Sequence, residues 1–373
     1  MVNFETPNSE YQRIENTLAE MTPDPRHFEG SVYPHDEVKK DLEQLDTFKH
    51  TPEYKKGEER SDAKLLEKTF TDMAERGDWF GEEEAYGDDP DFLALVTFPT
   101  SEIDDTFNHI DVIGIIGNAA TNHKTLPFAI DLTYNTDYDK MSQKFRWKHV
   151  YGKKDTAPEE ASEFGESYID TDYHGKNITK TKPLPLKHKY GLKIPGFASA
   201  KYFEDKNNPW DPIHDKGRIA IMPRFIVGYS TNIADTLSSG MPTEEYRNKY
   251  GEAAYQKKRA EYKKAEKRAK WCTLLECSKQ ATDIRYMLEN LTPEETNWMS
   301  PEELDEAKEQ ITAMETYFTK AIETATKQAK EDPNKMAAKK YAEQDLVCQE
   351  ISYHSSNTYT KRLVTLNNDT KKS

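Results

Sequence analysis

The sequence predicts an α+β (or α/β) chain: a central mixed β-sheet that includes a β-hairpin, flanked by helices and followed by a helical C-terminal region. Three observations predict it. Short runs rich in β-branched and aromatic residues recur at 92–98, 109–116, 126–134 and 217–229, each of strand length and bounded by turn formers. Leu66, Phe70 and Met73 recur at helical spacing just before the first of them. From 241 to 361 the chain is rich in Lys, Glu and Ala and reads as helices separated at prolines. These patterns divide the chain into a polar helical N-terminal extension over 1–60, a core over 61–235 with an irregular insertion at 150–217, and a helical region with a flexible end over 236–373.

In chain order, short helices are expected at 10–20 and 35–48, separated by turns such as Thr22-Pro-Asp-Pro25. Asp62 is an acidic cap for a helix over 64–76, which Gly77 ends. An acidic turn over 82–91 leads into the first strand. The strands at 109–116 and 126–134 are joined by 117–125, whose turn-forming composition makes a β-hairpin the economical connection. Folded symmetrically about Thr121, that hairpin sets Asp111 opposite Asp131. Thr136-Asp137 caps a helix running to 149, and the strand-like stretch 217–229 is interrupted by Pro223. Thr292-Pro293, Ser300-Pro301 and Asp332-Pro333 each read as a helix start, with a capping side chain before a proline in the first turn. Ile311, Met314, Phe318 and Ile322 form a packing stripe on one of these helices.

The 373 residues are 35% apolar and 32% charged, which limits the core, while 21 Tyr, 15 Phe and 5 Trp argue against wholesale disorder. No apolar run is long enough to span a membrane, and the first residues lack the pattern of a signal peptide. Cys272, Cys277 and Cys348 form neither a zinc pattern nor a disulfide framework, so idle thiols in a reducing cytoplasm are expected. A formal charge of −15 argues against broad electrostatic attraction to nucleic acid. The charge is uneven, however. The stretch 257–270, with Lys257, Lys258, Lys263 and Lys264, is strongly basic and interleaves Tyr255, Tyr262 and Trp271 nearby. It is either a well-solvated helix or a contact surface for a nucleic-acid backbone.

Strands normally exclude Asp, so Asp111 and Asp131 in successive strands mark a site. Residues two apart on a strand share a face. His109 therefore accompanies Asp111, and Asp131 accompanies Thr133 and Asn135, on a polar face. Ile110, Val112, Ile130 and Leu132 turn the other way, onto helices. Facing carboxylates repel across a strand pair, so a positive group is expected between them. A divalent cation such as Mg²⁺ or Mn²⁺ suits these hard oxygen ligands; a Lys or Arg side chain is the alternative. Lys140, Lys144 and Lys148 line one face of the following helix, either solvated or reaching back to a scissile phosphate. Glu102, Asp104 and Asp105 form an acidic group that either assists a metal or is a solvated turn. Arg218 and Arg224, flanking Pro223, are candidates for phosphate contact or surface pairing.

The residues around the two aspartates resemble the PD-(D/E)xK nuclease superfamily. There, a helix bearing an acidic residue precedes a β-meander in which one strand carries an Asp and the next carries (D/E)-x-K. Asp111 in His-Ile-Asp-Val-Ile matches the first Asp, and Asp131-Leu-Thr133 occupies the (D/E)-x-K place with Thr133 where the family has Lys. Glu67 matches the helical acid, and Lys144 or Lys140 would supply a lysine moved to the following helix. The resemblance spans 62–229. It implies metal ligands Asp111, Asp131 and Glu67, a Mg²⁺- or Mn²⁺-dependent hydrolysis of phosphodiester bonds, and nucleic acid as partner; the basic residues Lys257, Lys258, Lys263, Lys264, Arg218 and Arg224, read from their own charge, are the contact candidates. The charge of −15, the Thr at position 133 and the long helical tail favour the alternative, a non-catalytic acidic interaction protein on a nuclease-like fold, binding a protein through its C-terminal helices.

Overall fold

The computed structural model of the protein describes residues 22–31, 33–52, 54, 61–76, 94–108, 110–117, 126–133, 167–171, 177–181, 197–203, 220–290 and 301–344. Its helices are α1 (His35–Lys49), α2 (Ser61–Arg76), α3 (Glu102–Asn108), α4 (Thr231–Ser238), α5 (Glu244–Tyr250), α6 (Glu252–Glu289), α7 (Pro301–Glu331) and α8 (Pro333–Gln344). Its strands are β1 (Ala94–Pro99), β2 (Val112–Gly117), β3 (Leu126–Thr133), β4 (Ser167–Thr171), β5 (Asn177–Thr181), β6 (Phe197–Ala200) and β7 (Ala220–Gly228). The expected α+β architecture is present. Five strands form a mixed sheet in the order β1-β2-β3-β7-β6, in which β3 and β7 are parallel and the other pairs antiparallel. Strands β4 and β5 form a separate antiparallel pair.

One face of the sheet packs on helices as expected. Val112, Ile116, Phe128, Ile130, Leu132, Phe225 and Val227 join Leu66, Phe70 and Met73 of α2 and the buried stripe Ile311, Met314 and Phe318 of α7 in one apolar cluster. Phe128, Phe225 and Phe318 meet edge-on with centroids 5.6–5.7 Å apart, a geometry worth about 0.5–1.5 kcal/mol per pair beyond burial. Gly114 makes room for this trio, because a Cβ there would lie 2.5 Å from Phe128 Cζ. The cluster runs without a break from α2 through α6, α7 and α8. The sheet and the C-terminal helices thus share a core across position 236.

The opposite face is not the polar one expected. Ile113, Ile115, Ala129 and Met222 are buried there with Ala198, Ala200 and Phe203, so this sheet is covered on both sides. Part of the cover comes from the segment read as irregular, through Phe203, which follows edge strand β6 and stacks on Phe98. Ile110 also lies in this second cluster, not on the helix layer. Strand alternation stops just before β2, and the Ile110 carbonyl accepts from Thr100 Oγ1 at 2.5 Å. Pro223 does not interrupt β7. It stands opposite Phe197 at the last pair with β6, where a missing N–H costs the ladder least.

Two polar devices tie the layers together. Where β6 no longer flanks β7, the side-chain amide of Gln280 on α6 takes the place of a strand. Gln280 Oε1 accepts from Ile226 N–H at 3.0 Å, and Nε2 donates to Ile226 O at 2.6 Å. The N-terminal segment docks through Phe28, Tyr33, Val38 and Leu45, which pack on Ile103 and Tyr202. Beside them, buried Lys201 donates to Glu37 at 2.7 Å and to Asp41 at 2.6 Å, and Tyr202 Oη donates to the same Asp41 oxygen at 2.7 Å. Asp104, wholly buried, accepts the N–H groups of Lys201 at 2.7 Å and Tyr202 at 2.9 Å, plus the Ser101 hydroxyl at 2.7 Å. Buried charges persist where every oxygen and ammonium proton finds such partners.

The helix starts follow the sequence signals. Helix α7 begins at Pro301 and α8 at Pro333, and Asp332 Oδ1 accepts Asn334 N–H at 2.8 Å as an N-cap. Thr292-Pro293 lies outside the described residues. Cys272 and Cys277 are buried free thiols. Among the described residues no helix is long and apolar enough to cross a membrane.

Candidate functional site

The site is built on the β2–β3 hairpin. Val112 pairs with Ile130, so the ladder is symmetric about position 121, as the turn composition predicts. One step further, the Asp111 N–H donates to Ile130 O at 3.0 Å. Asp111 therefore lies at the end of the hairpin beside the Ile130–Leu132 backbone, next to the stretch of β3 that carries Asp131. Asp111 is not inside its strand but immediately before it, since β2 begins at Val112. Its side chain explains why: Asp111 Oδ2 accepts Leu132 N–H at 2.6 Å, taking over a bond that a strand carbonyl would otherwise receive. A carboxylate in that role ends the ladder and is held by a charge-assisted bond.

Asp131 sits inside β3, 3% exposed, and Arg224 of β7 is 7% exposed. Arg224 Nη2 donates to Asp131 Oδ2. The positive group beside Asp131 is thus a side chain on the neighbouring parallel strand. Of the two readings of Arg224, phosphate contact or surface pairing, the second is replaced by a buried pair, and the reason is the second apolar layer, which buries the face that carries it. Arg224 Nε is buried with no hydrogen-bond partner among the described residues. A buried guanidinium N–H in that condition is costly and fits an anionic oxygen.

The other expected residues are distributed unevenly. Glu67 is half-buried in α2, which packs on the Val112–Ile130 face, so it rises from the layer opposite the one bearing Asp131 and Arg224. Lys140, Lys144, Arg218, His109 and the Thr133 side chain lie outside the described residues. Asp104 is neither a metal-assisting group nor a solvated turn; it is the structural acceptor described above. Glu102 pairs with Lys49 at 2.7 Å and accepts from Tyr54 Oη at 3.1 Å.

In chemical type, Asp111 and Asp131 are hard oxygen donors of the kind Mg²⁺ and Mn²⁺ take, and the orphaned Arg224 Nε–H matches a phosphate oxygen. Among the described residues, no three His, Cys, Asp or Glu side chains converge as a metal-holding group.

On α6, Lys257, Lys263 and Lys264 are exposed and Lys258 is half-buried, with its ammonium 4.8 Å from the Tyr246 ring centroid. Tyr262 and Trp271, expected among the contact aromatics, are instead buried in the main core, because they fall on the buried face of α6, with Trp271 beside Lys339 of α8.

In comparisons with known proteins, no family model matches the chain, and no curated protein or solved structure gives a match.

Proposed function

We propose that the protein is a metal-dependent phosphodiesterase of the nuclease type, with its centre at the Asp111–Asp131 end of the hairpin. The observation that carries this reading is the buried Arg224 beside Asp131, with one guanidinium N–H left without a partner among the described residues. Arg224 answers a specific difficulty: the resemblance to PD-(D/E)xK nucleases lacks its strand lysine at Thr133, and Arg224 brings a fixed cation to the same face from the adjacent strand. The order of α2 followed by the antiparallel β1-β2-β3 meander supports the same reading.

In this scheme Asp111 and Asp131 would hold Mg²⁺ or Mn²⁺, without Glu67, which rises from the opposite layer. The bound ion supplies Lewis acidity and a lowered pKa for water. Arg224, seated against Asp131, would hold that carboxylate in place and offset negative charge developing at the centre. Lys144 or Lys140 is a second cationic candidate. The apolar layer of Ile113, Ala129 and Met222 limits water around the carboxylates.

The test is cleavage of labelled single-stranded DNA, duplex DNA and RNA with Mg²⁺, Mn²⁺ or EDTA. Metal-dependent cleavage that is lost in Asp111→Asn and in Asp131→Asn, both folded by circular dichroism, is the expected result. No cleavage of any substrate, with no Mn²⁺ binding by calorimetry, overturns it.

A second reading is favoured by a specific observation: both aspartates make internal contacts, Asp131 with Arg224 and Asp111 with Leu132 N–H. On that reading the protein is a non-catalytic interaction protein, and the same substitutions lower stability without removing any activity.

A further inference from the structure

Residues 24–50 are held to the rest of the chain by a joint of their own. Val38, Asp41 and Leu45 form the buried stripe of α1, so a carboxylate stands where an apolar residue is the rule. It meets the ammonium of Lys201, which also donates to Glu37 and lies 4.9 Å from the Tyr33 ring centroid and 5.5 Å from that of Tyr202. Tyr33 Oη donates to the Lys201 carbonyl at 2.8 Å, and the Phe28 and Tyr33 rings each meet Tyr202 edge-on at 5.6 Å. At the end of α1, Lys49 reaches Glu102, and Ile103 completes the apolar cluster. All these contacts fall on two short stretches, 102–103 in α3 and 201–202 after β6.

Those two stretches abut the candidate site. Asp104 ties them together by accepting the Lys201 and Tyr202 N–H groups, and its carbonyl receives the Ile110 N–H at 3.4 Å, one residue before Asp111. Strand β6, which ends at Ala200, pairs along β7 as far as Pro223, the residue before Arg224. The joint itself is modest. Its apolar cluster holds six buried residues and is separate from the one that runs from the sheet through α6, α7 and α8. The Lys201–Asp41 pair adds little net strength, because removing both charges from water offsets most of their attraction. Lifting the segment away whole returns those charges to water together and strands none of them. A segment with few apolar contacts opens at a lower free energy than the global transition.

We propose that residues 24–50 form a strap that opens as a unit, and that its closure clamps α3 against the 201–202 turn and thereby fixes Asp111. The bearing on function rests on the reading of Asp111 as a site residue; the opening itself does not. With the strap open, α3 loses its cover at Glu102 and Ile103, and the Asp104 bonds to the 201–202 backbone meet water. A hydrogen bond is weaker electrostatically in water than in a buried setting, so α3 and the carboxylate that follows it gain freedom. Asp111 Oδ2 holds the Leu132 N–H. The end of the hairpin therefore reports the state of the strap.

Native-state amide exchange of the full chain, read by NMR in dilute urea, tests this without any substrate. Amides of α1 should share one opening event and exchange faster than those of α7 around Met314. Lys201→Met keeps the backbone bonds to Asp104 but deprives buried Asp41 of its cation. It should speed the α1 amides by about a hundredfold or more, as removal of one partner of a buried ion pair does. The Asp111 and Leu132 amides should speed up with them, and the Met314 amide should not. Phe28→Ala weakens the strap from its own side and strands no charge, so it should move the same amides in the same direction. Any of four results overturns the proposal. These are α1 amides that open only together with α7 in the unmodified chain, α1 amides unmoved by both variants, a Met314 amide that speeds up equally, or Asp111 and Leu132 amides that stay unchanged while α1 speeds up. Coupled opening in a chain that cleaves nothing supports the strap and refutes the nuclease reading alone.

Discussion

Arg224 and Asp131 meet diagonally across a parallel strand pair. In the register Arg224 stands opposite Ala129 and Asp131 opposite Ile226, yet the guanidinium of the first donates to the carboxylate of the second. The two are nearly wholly buried, so each depends on the other for its charge to be tolerable.

Removing one member should therefore cost more than removing both. Arg224→Met deprives the buried Asp131 carboxylate of its guanidinium partner and is expected to lower unfolding free energy by about 3–5 kcal/mol. The double variant Arg224→Met/Asp131→Leu should recover most of that loss. Urea denaturation of the two single variants and the double variant measures the difference; single variants within 1 kcal/mol of wild type contradict the pairing.

Gln280 predicts a loss of a different kind. Replacing it with Leu keeps the volume but strands the Ile226 N–H and carbonyl in the core, at about 1–3 kcal/mol for each unsatisfied group. Amide hydrogen exchange at Ile226 is the direct readout, and it should accelerate relative to its neighbours. An unchanged exchange rate would mean that another group serves this edge.

Gly114 is required by packing. With Phe128 Cζ 2.5 Å from an added Cβ, Gly114→Ala should force the ring out of its edge-on arrangement and cost about 1–3 kcal/mol as overpacking. Adding Phe128→Leu should relieve part of that cost. The expected signature is a melting temperature for the pair above that of Gly114→Ala alone.

Tyr202 sets a pH limit. Burial, then the hydrogen bond to Asp41, then the Asp41, Asp104 and Tyr33 electrostatics, push its phenol far above the ordinary 10.0. The folded state thus holds this proton more tightly than the unfolded chain. Its contribution to stability is complete below pH 10 and is lost progressively as pH rises above the unfolded value. Spectrophotometric titration should show no folded-state phenolate from Tyr202 between pH 10 and 11, and the fall in stability across that range should be shallower in Tyr202→Phe. Equal slopes would show that Tyr202 titrates like an exposed tyrosine.

What the sequence made legible was local. The 117–125 turn composition, with the strands on either side, is enough to set the hairpin register through Val112 and Ile130, at whose end Asp111 lies. Ser-Pro and Asp-Pro pairs are enough to start α7 and α8. The rest depends on partners far along the chain. Asp104 lies in an acidic run that looks solvated, and its acceptor role comes from N–H groups 97 and 98 residues later. Strand β6 is four residues long, too short to show alternation. Without it, the second face of the sheet reads as open, and Arg224 reads as a surface charge. Gln280 carries no pattern at all, since any helix surface has polar residues and only the gap beside β7 gives this one a task.

The parallel pairing of β3 with β7 has a consequence for biogenesis. Asp131 leaves the ribosome 93 residues ahead of Arg224, and non-local strand pairing of this kind forms slowly. Until β7 arrives, β3 is an unpaired edge with apolar side chains and an uncompensated carboxylate. A nascent chain halted before Gly228 would expose that edge as a template for association with other chains. The guanidinium that finishes the site also marks the point in synthesis after which the sheet can close.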